Sequence, residues 1–330
     1  MKSNYLIIGC GNHGSRILDI FVKKKLPVVV VEKNQERIVE LKILYSSNHQ
    51  IIFVDSLEKG LVHLNDRYSC VLSNWANDRF SELIRLKNNG CNKVFLEKPF
   101  ASSIKDLDKI NNLFSKNFVL VPSLPQNFSD FHVNIKNLIE KYNLGDLNYI
   151  IHFGGAKGLM NNGIHYLDTS LKFINSELVK TVGFIDTANI NPRNKESYFY
   201  DGNIIFKFKD GKSINISMSN QSMMNNYTIY NFKFGNIILN EDDLGYLNFI
   251  KKSNRELPIT RTRLDETVIL KNIYGNFLEY FEKNIDFFIY EKDIKKFKNY
   301  FEKCFVSQRY LLNAVHKITN TSIDQSLNIT

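Results

Sequence analysis

The sequence predicts two domains, a doubly wound parallel α/β sheet followed by an open-faced, mostly antiparallel sheet with helices on one face. Two observations support this fold class. In the first third of the chain, short continuous apolar runs alternate with helical patterns, and after about residue 122 the strand-like segments instead alternate apolar and polar residues. The length of 330 residues suits two domains. We therefore expect domains over 1–122 and 123–330.

The first domain is expected to be a Rossmann-type sheet, because continuous apolar runs suit parallel strands that are buried on both faces. The expected strands are Tyr5–Ile8, Val28–Val31, Ile51–Val54, Cys70–Leu72, Lys93–Leu96 and Phe118–Val121. The helical patterns between them are Gly14–Lys24, Gln35–Leu44, Asp78–Asn88 and Ile104–Phe114.

The second domain shows its clearest signal in a hairpin. Phenylalanine and lysine alternate in Ile204–Lys209, the turn signal Asp210-Gly211 follows, and Ile214–Met218 alternates again. This pattern predicts an antiparallel pair with one buried face. Further strands are expected near 147–153, 180–187, 227–234 and 236–240, with helices over Ile164–Ile174 and roughly 291–315.

Composition excludes several classes of protein. The net charge of +9 comes from scattered basic residues, which does not favour a nucleic-acid partner. The chain lacks an apolar run of about eighteen residues, so we expect no membrane partner. The four cysteines form no CxxC pair and have no zinc-finger spacing. We expect no metal, and free thiols in a reducing, cytoplasmic location.

A dinucleotide fingerprint follows the first expected strand. The segment Gly9-Cys10-Gly11-Asn12-His13-Gly14 fits G-x-G-x-x-G and opens the first expected helix. In this motif Gly9 permits a tight turn, Gly11 lets the backbone approach a pyrophosphate, and Gly14 lets the helix pack close to the strand. The N-terminus of the helix presents N–H groups to phosphates, so we expect this segment, including Asn12 and His13, to bind the cofactor.

The second expected strand ends at Glu32, at the spacing of an acidic ribose anchor. A carboxylate there accepts hydrogen bonds from both ribose hydroxyls and repels a 2′-phosphate, which favours NAD over NADP. The adjacent Lys33 is a cation that would tolerate a phosphate, and it is also placed in the cofactor site.

Two further segments carry groups suited to proton transfer and hydroxyl binding. Glu97 and Lys98 follow the fifth expected strand, at the sheet edge where ligands of open α/β folds bind. A lysine that is partly desolvated beside a nicotinamide could transfer a proton. His165 and Asp168 are three residues apart on an expected helix and therefore share a face, and Asn161 lies four residues before His165.

In this order, the glycine fingerprint, Glu97-Lys98-Pro99 and Gly163-Ile164-His165-Tyr166-Leu167-Asp168 resemble the glucose–fructose oxidoreductase/inositol dehydrogenase (Gfo/Idh/MocA) family. The segment Ser73–Phe80 is similar to that family's loop after the fourth strand, which implies that Ser73, Asn74 and Trp75 border the nicotinamide. Glu97 is likewise expected in the cofactor site.

The resemblance implies an NAD-dependent oxidoreductase that transfers a hydride between nicotinamide and a secondary alcohol or ketone of a sugar, cyclitol or nucleotide-sugar. Lys98 and His165 are then the catalytic pair that flanks the reacting carbon, either of them the general base, and Asp168 and Asn161 bind the substrate. Many members have Asp where this chain has Asn161, and an amide cannot take up a proton. The resemblance also implies a homodimer or homotetramer.

Two alternatives remain at this stage. A non-catalytic NAD-binding regulator could use the same scaffold, because fold does not determine function. Lys98 and His165 favour the enzyme, since a regulator needs neither group. A reductase of a linear tetrapyrrole, an imine or a dipicolinate-type ring is the other alternative, against which the His-x-x-Asp pattern favours hydroxyl recognition.

Overall fold

The computed structural model describes residues 2–329 except 75, 77, 78, 156, 187–189, 192, 193, 199, 241–243, 257–263 and 328. The chain divides into two compact units. The first comprises Met1–Leu124 and Glu282–Val306 together with Thr330, and the second comprises Pro125–Phe281 and Ser307–Ile329. Each unit has its own sheet.

The first unit is built on a parallel sheet, which has six strands in the described part of the chain. The strands are β1 (Ser3–Ile8), β2 (Val28–Val31), β3 (Ile51–Val54), β4 (Leu64–Leu72), β5 (Cys91–Leu96) and β6 (Val119–Pro122). Their order is β3-β2-β1-β4-β5-β6, with β1 central and a crossover to β4, which is the order of a dinucleotide-binding Rossmann sheet. The fold class expected for the first domain is therefore confirmed.

The helices between these strands bury one apolar face each. The amphipathic α5 buries Ile104, Leu107 and Ile110, and the hydroxyl of Ser103 accepts a hydrogen bond from the backbone of Asp106 to cap its N-terminus. The helices are α1 (Asn12–Lys23), α2 (Gln35–Leu44), α3 (Leu57–Leu61), α4 (Arg79–Asn88) and α5 (Ile104–Leu113). The short helix α3 was not predicted from the sequence.

Two C-terminal helices, α8 (Phe277–Tyr290) and α9 (Ile294–Thr319), contribute residues to both units. The units are thus not two continuous segments divided at residue 122. Aromatic packing explains why Glu282–Val306 belongs with the first unit. Its phenylalanines contact phenylalanines of the parallel-sheet region in the pairs Phe95–Phe288, Phe100–Phe305 and Phe114–Phe301.

The second unit contains a mixed sheet, which has eight strands in the described residues. The strands are β7 (Leu147–Gly155), β8 (Leu178–Asp186), β11 (Asp201–Phe208), β12 (Ser213–Ser219), β13 (Tyr227–Phe232), β14 (Gly235–Asn240), β15 (Leu244–Phe249) and β16 (Glu266–Lys271). Their order is β16-β15-β14-β13-β7-β12-β11-β8, and β7 with β12 is the parallel pair in an otherwise antiparallel arrangement. A separate pair consists of β9 (Ile190–Asn191) and β10 (Asn194–Tyr198).

The expected hairpin is present as β11 and β12, with Ile204 opposite Ile216 and Phe206 opposite Ile214. These four side chains are buried, because the period-two pattern places them all on one face. Helices α6 (Phe131–Lys141) and α7 (Leu159–Leu171) belong to the same unit. After α9, the side chains of Leu327 and Ile329 are buried.

A buried histidine connects the sheet of the second unit to α7. His152 of β7 is 1% exposed, and its Nδ1 and Nε2 lie 2.8 Å from the hydroxyl of Thr228 and 2.6 Å from that of Ser170. Burial lowers the pKa of His152 to about 3. The neutral imidazole therefore fixes, through Ser170, the helix that carries His165 and Asp168.

This histidine predicts a pH dependence of stability. The folded protein binds the imidazole proton only near pH 3, whereas the unfolded chain binds it at the ordinary pKa of 6.5. The free energy of unfolding should therefore fall as the pH drops from 6.5 toward 3. Urea denaturation at several pH values should show a shallower fall for His152→Gln than for the wild type. The exposed His49, changed to Gln, is the control and should keep the wild-type slope.

Candidate active site

The glycine-rich loop packs closely against α1, and it requires glycine at two positions for different reasons, a positive φ at Gly9 and a close contact at Gly14. Gly9 has φ of +84°, and a Cβ on Gly14 would lie 2.1 Å from the carbonyl oxygen of Gly9. Ser73, which follows β4, donates a 2.5 Å hydrogen bond to the same oxygen. A Cβ on Gly11 would meet nothing within 4 Å, so the backbone there is open to a ligand.

Glu32 follows β2 and is tied to this loop. Its carboxylate accepts hydrogen bonds from the backbone N–H of Cys10 at 2.7 Å and of Asn34 at 3.0 Å. Arg37 of α2 donates to the Cys10 carbonyl at 3.0 Å and to the Ser15 hydroxyl at 2.7 Å. The negative charge of Glu32 is therefore held in place beside the loop at the carboxyl ends of β1 and β2.

A pocket of 220 Å³ lies within the first unit, and the two chain neighbours of Glu32, Val31 and Lys33, line it. Its walls include Ile8 and Val31 at the ends of β1 and β2, together with Lys33, Ser56 and Arg85. The carboxyl edge of a parallel sheet is where open α/β folds bind ligands. The pocket combines apolar side chains with cationic groups and three carboxylates.

The Glu97 side chain is held at the end of β5 by partners from other elements. Its Oε2 lies 2.8 Å from Nε2 of His13, in the first turn of α1. Burial alone would raise the pKa of Glu97, but His13, by charge and hydrogen bond, the charge of Lys98 and a hydrogen bond from Ser123 together lower it to about 2. Glu97 is therefore a carboxylate at every physiological pH. The Lys98–Pro99 peptide bond is cis.

Arg79, which the sequence did not identify, fixes the backbone around Lys98. The side chain is 1% exposed, and its guanidinium donates to the carbonyls of Asn74, Glu97 and Pro99, the last at 3.0 Å. Burial lowers the pKa of Arg79 to about 10, against the opposing charges of Glu97 and Glu82, so it remains a cation. A cation in the first turn of a helix meets the positive end of the helix dipole and is unfavourable unless other groups compensate its charge. The position of Arg79 at the start of a helix was therefore a sequence signal that could have identified it.

In the second unit, α7 carries the remaining predicted site residues. Asn161 and His165 are half-buried and lie one turn apart. Asp168 is 6% exposed, and its two oxygens accept hydrogen bonds from Asn127 at 2.8 Å and Ser307 at 2.7 Å. The helix begins at Leu159, so Asn161 is inside its first turn rather than ahead of it.

The structure brings one group of predicted cofactor residues together at the carboxyl edge of the parallel sheet. This group comprises Gly9, Gly11, Asn12, His13, Gly14, Glu32, Lys33, Ser73, Asn74 and Glu97. Lys98 lies in the same unit, whereas Asn161, His165 and Asp168 lie in the other. Trp75 falls outside the described residues. The partners Arg37, Ser123, Asn127 and Ser307 were not predicted, because they belong to no motif.

Neither a metal cluster nor a membrane span is found in the described part of the chain. No group of three or more His, Cys, Asp or Glu side chains there could hold a metal ion. No helix there is long and apolar enough to cross a membrane.

Comparison with known proteins supports this architecture. The TrkA-N domain matches residues 5–64, the stretch with the glycine loop and Glu32. No curated protein matches the sequence. Among solved structures, a dehydrogenase of Clostridium difficile superimposes with a TM-score of 0.66 at 18% identity, covering 96% of this chain and all of its own. The chain has the Gfo/Idh/MocA fold.

Two other similar structures carry more specific names. UDP-N-acetylglucosamine 3-dehydrogenase of Acidithiobacillus ferrooxidans has a TM-score of 0.64 at 14% identity, with 98% of each chain covered. A 3-ketoreductase of Actinomadura kijaniata, in complex with TDP-benzene and NADP, has a TM-score of 0.67 at 12% identity, with 95% of this chain and 96% of that one covered. At these identities the likeness establishes the fold.

Proposed function

We propose that this protein is an NAD-dependent oxidoreductase that transfers a hydride between nicotinamide and a secondary alcohol or ketone of a sugar, cyclitol or nucleotide-sugar. The observation that carries this proposal is the open backbone at Gly11, where an added Cβ would meet nothing within 4 Å, in a loop that packs against α1 through the close approach of Gly14 to the Gly9 carbonyl. It occurs on a fold shared with a UDP-N-acetylglucosamine 3-dehydrogenase and a 3-ketoreductase.

The residues present fit a dinucleotide. No side chain caps the N-terminus of α1, where Gly11 is the N-cap residue, so the first-turn N–H groups of the described helix are available to a pyrophosphate. Glu32 would hold the adenosine ribose, and the pocket beside Lys33 would hold the adenine. A bound nicotinamide supplies the hydride acceptor or donor.

The chain's own residues supply proton transfer and substrate orientation. Lys98, after β5, and His165, on α7, are the proposed proton-transfer groups, and the proposal leaves open which of them is the general base. Asp168 and Asn161 are proposed to bind substrate hydroxyls. The amide of Asn161 orients a partner by hydrogen bonding and takes up no proton.

Turnover provides the first test of this function. The purified protein should oxidise or reduce at least one compound in a panel of sugars, inositols and nucleotide-sugars. The absorbance of NADH measures this reaction. Lys98→Ala should lower kcat by about a hundredfold or more, because it removes a proton-transfer group, while NAD affinity changes by no more than about threefold. The exposed Lys105, changed to Ala, is the matched control and should keep full activity. Full activity of Lys98→Ala would remove Lys98 from the mechanism.

The cofactor proposed here is NAD rather than NADP. The support is the position of the Glu32 carboxylate, which is fixed by the N–H groups of Cys10 and Asn34 and would face a 2′-phosphate with like charge. Glu32 is half-buried, so its charge is incompletely screened by solvent.

Glu32→Gln tests cofactor choice, because glutamine keeps a hydrogen-bond acceptor and removes the charge. Calorimetry should show the ratio of NADP to NAD affinity rising by about tenfold, a free-energy change of about 1.4 kcal/mol. Glu36→Gln, at an exposed position in the first turn of α2, is the control and should leave this ratio unchanged. Tighter binding of NADP than of NAD by the wild type would contradict the proposal.

We further propose that the chain forms a homodimer or homotetramer through the open face of its mixed sheet. One row of side chains crosses all eight described strands on this face. The row runs through Val182, Ile205, Asn215, Ile151, Ile229, Ile238, Tyr246 and Ile269. All but one of these residues are apolar, whereas the solvated face of an antiparallel sheet is usually polar.

A charge in the centre of this row should disrupt the oligomer. Ile229→Asp places a carboxylate where a second copy would exclude water, so sedimentation should shift toward the monomer. Val39→Asp, an equivalent change at a 57% exposed position on α2, should leave the mass unchanged. A wild-type monomer at high micromolar concentration would contradict this proposal.

A cytoplasmic location is also proposed. The four cysteines, Cys10, Cys70, Cys91 and Cys304, are free and buried in the structure. Free thiols are typical of proteins in reducing compartments.

A further inference from the structure

Cys10, inside the glycine-rich loop, is held at both of its backbone polar groups by charged side chains of the first unit. Its N–H donates to the Glu32 carboxylate at 2.7 Å, and its carbonyl oxygen accepts from Nε of Arg37 at 3.0 Å. A hydrogen bond to an ionised group is stronger than one between neutral groups. The glycine fingerprint requires small residues and backbone N–H groups in this loop, so it does not account for the arginine.

The guanidinium of Arg37 uses its whole fork in this region. Besides the Cys10 carbonyl, it binds the Ser15 hydroxyl at 2.7 Å through Nη2 and the Glu40 carboxylate at 2.8 Å through Nη1. Ser15 in turn donates to the Gly11 carbonyl at 2.9 Å. Arg37 therefore connects α2 with the loop and with the start of α1, which the single nitrogen of a lysine could not do in the same way.

The bond from Arg37 to Cys10 also determines the direction of the next N–H group. The Cys10 carbonyl and the Gly11 N–H belong to one trans peptide group, so they point in opposite directions. Because the carbonyl points toward Arg37, the Gly11 N–H points away from it. Gly11 is the N-cap residue of α1, and an added Cβ there would meet nothing within 4 Å. Arg37 thus fixes the orientation of an N–H at the position where the loop is open.

We propose that Arg37 is a positioning residue of the cofactor site, which orients the Gly11 N–H toward the pyrophosphate of the dinucleotide and strengthens it as a donor. The inference rests on the proposed binding of a dinucleotide at this loop. A carbonyl that accepts a charged hydrogen bond polarises its own peptide group, so the N–H of that group becomes a better donor. Arg37 acts on the ligand through the Cys10–Gly11 peptide rather than by contact.

A purely structural role of Arg37 makes a different prediction. If the side chain only held α2 against α1, its loss would weaken every part of the cofactor site in the same way. If it orients the Gly11 N–H, the loss is confined to ligands that carry a pyrophosphate. ADP-ribose and adenosine separate the two cases, because they share the adenine and its ribose but adenosine has no phosphate.

The binding experiment measures both ligands by NMR titration. In Arg37→Gln the dissociation constant of ADP-ribose should rise by about tenfold, because a hydrogen bond to a charged group is weakened, and that of adenosine should change by no more than about twofold. Arg37→Lys keeps the charge but not the fork, so its loss of ADP-ribose affinity should be at least about fivefold. Lys42→Gln removes a cation from an exposed position of the same helix and should leave both constants unchanged.

A spectroscopic readout reports on the peptide group itself. The chain contains one Cys-Gly dipeptide, Cys10-Gly11, so carbonyl-13C cysteine combined with 15N glycine selects a single amide signal. In the ligand-free protein, this signal should move upfield in 15N in Arg37→Gln and Arg37→Lys, because the carbonyl loses its charged partner. The signal should keep its position in Lys42→Gln. ADP-ribose should shift the signal further in the wild type than in Arg37→Gln.

The outcomes separate this inference from the function on which it rests. Unchanged ADP-ribose binding in Arg37→Gln, or an equal loss for adenosine, would overturn the role of Arg37. Full ADP-ribose affinity in Arg37→Lys with a displaced Gly11 signal would also overturn it, because charge alone would then suffice. This variant also decides the question if Arg37→Gln does not fold.

Two results on the wild type bear on the proposed function instead. A wild type that binds neither NAD nor ADP-ribose would overturn the cofactor site and the role of Arg37 with it. A wild type that binds ADP-ribose as described but turns over no substrate would contradict the oxidoreductase and leave the role of Arg37 intact.

Discussion

A buried guanidinium determines the geometry of the carboxyl edge of the parallel sheet. Arg79 is a cation removed from water, and it is stabilised there because carbonyls from the loops after β4 and β5 converge on it. The carbonyls on both sides of Lys98, those of Glu97 and Pro99, are among these acceptors. The loop that bears Lys98 cannot move without leaving part of the Arg79 charge unsatisfied, which makes the loop a rigid support for the proton-transfer group proposed there.

Much of the first unit could be predicted from its sequence, because continuous apolar runs leave few alternatives to buried parallel strands. Val28–Val31 and Ile51–Val54 coincide with β2 and β3. The fourth strand was expected from Cys70 but begins at Leu64, because its first half includes exposed polar residues that interrupt the apolar run. Helix α8 was missed since it is rich in phenylalanine, tyrosine and isoleucine, which have only moderate helix propensity.

The sequence predicted the parts of the candidate site that belong to local motifs. The glycine loop, Glu32 and Glu97 follow strands, and parallel strands bring their carboxyl ends to one edge. The partners that hold these groups come from distant parts of the chain. Ser123, Asn127 and Ser307 have no spacing signal, because their positions depend on tertiary packing rather than on a helical or strand period.

Asp168 shows how a structural role and a proposed binding role can coexist. Its oxygens accept hydrogen bonds from Asn127 and Ser307, and these bonds fix the carboxylate on α7. An ionised carboxylate has about four acceptor sites, which is more than these two bonds use. The two protein donors orient the carboxylate in advance, so a substrate would bind without the entropic cost of ordering this side chain. A carboxylate held in this way is better suited to recognising a hydroxyl than a freely rotating one would be.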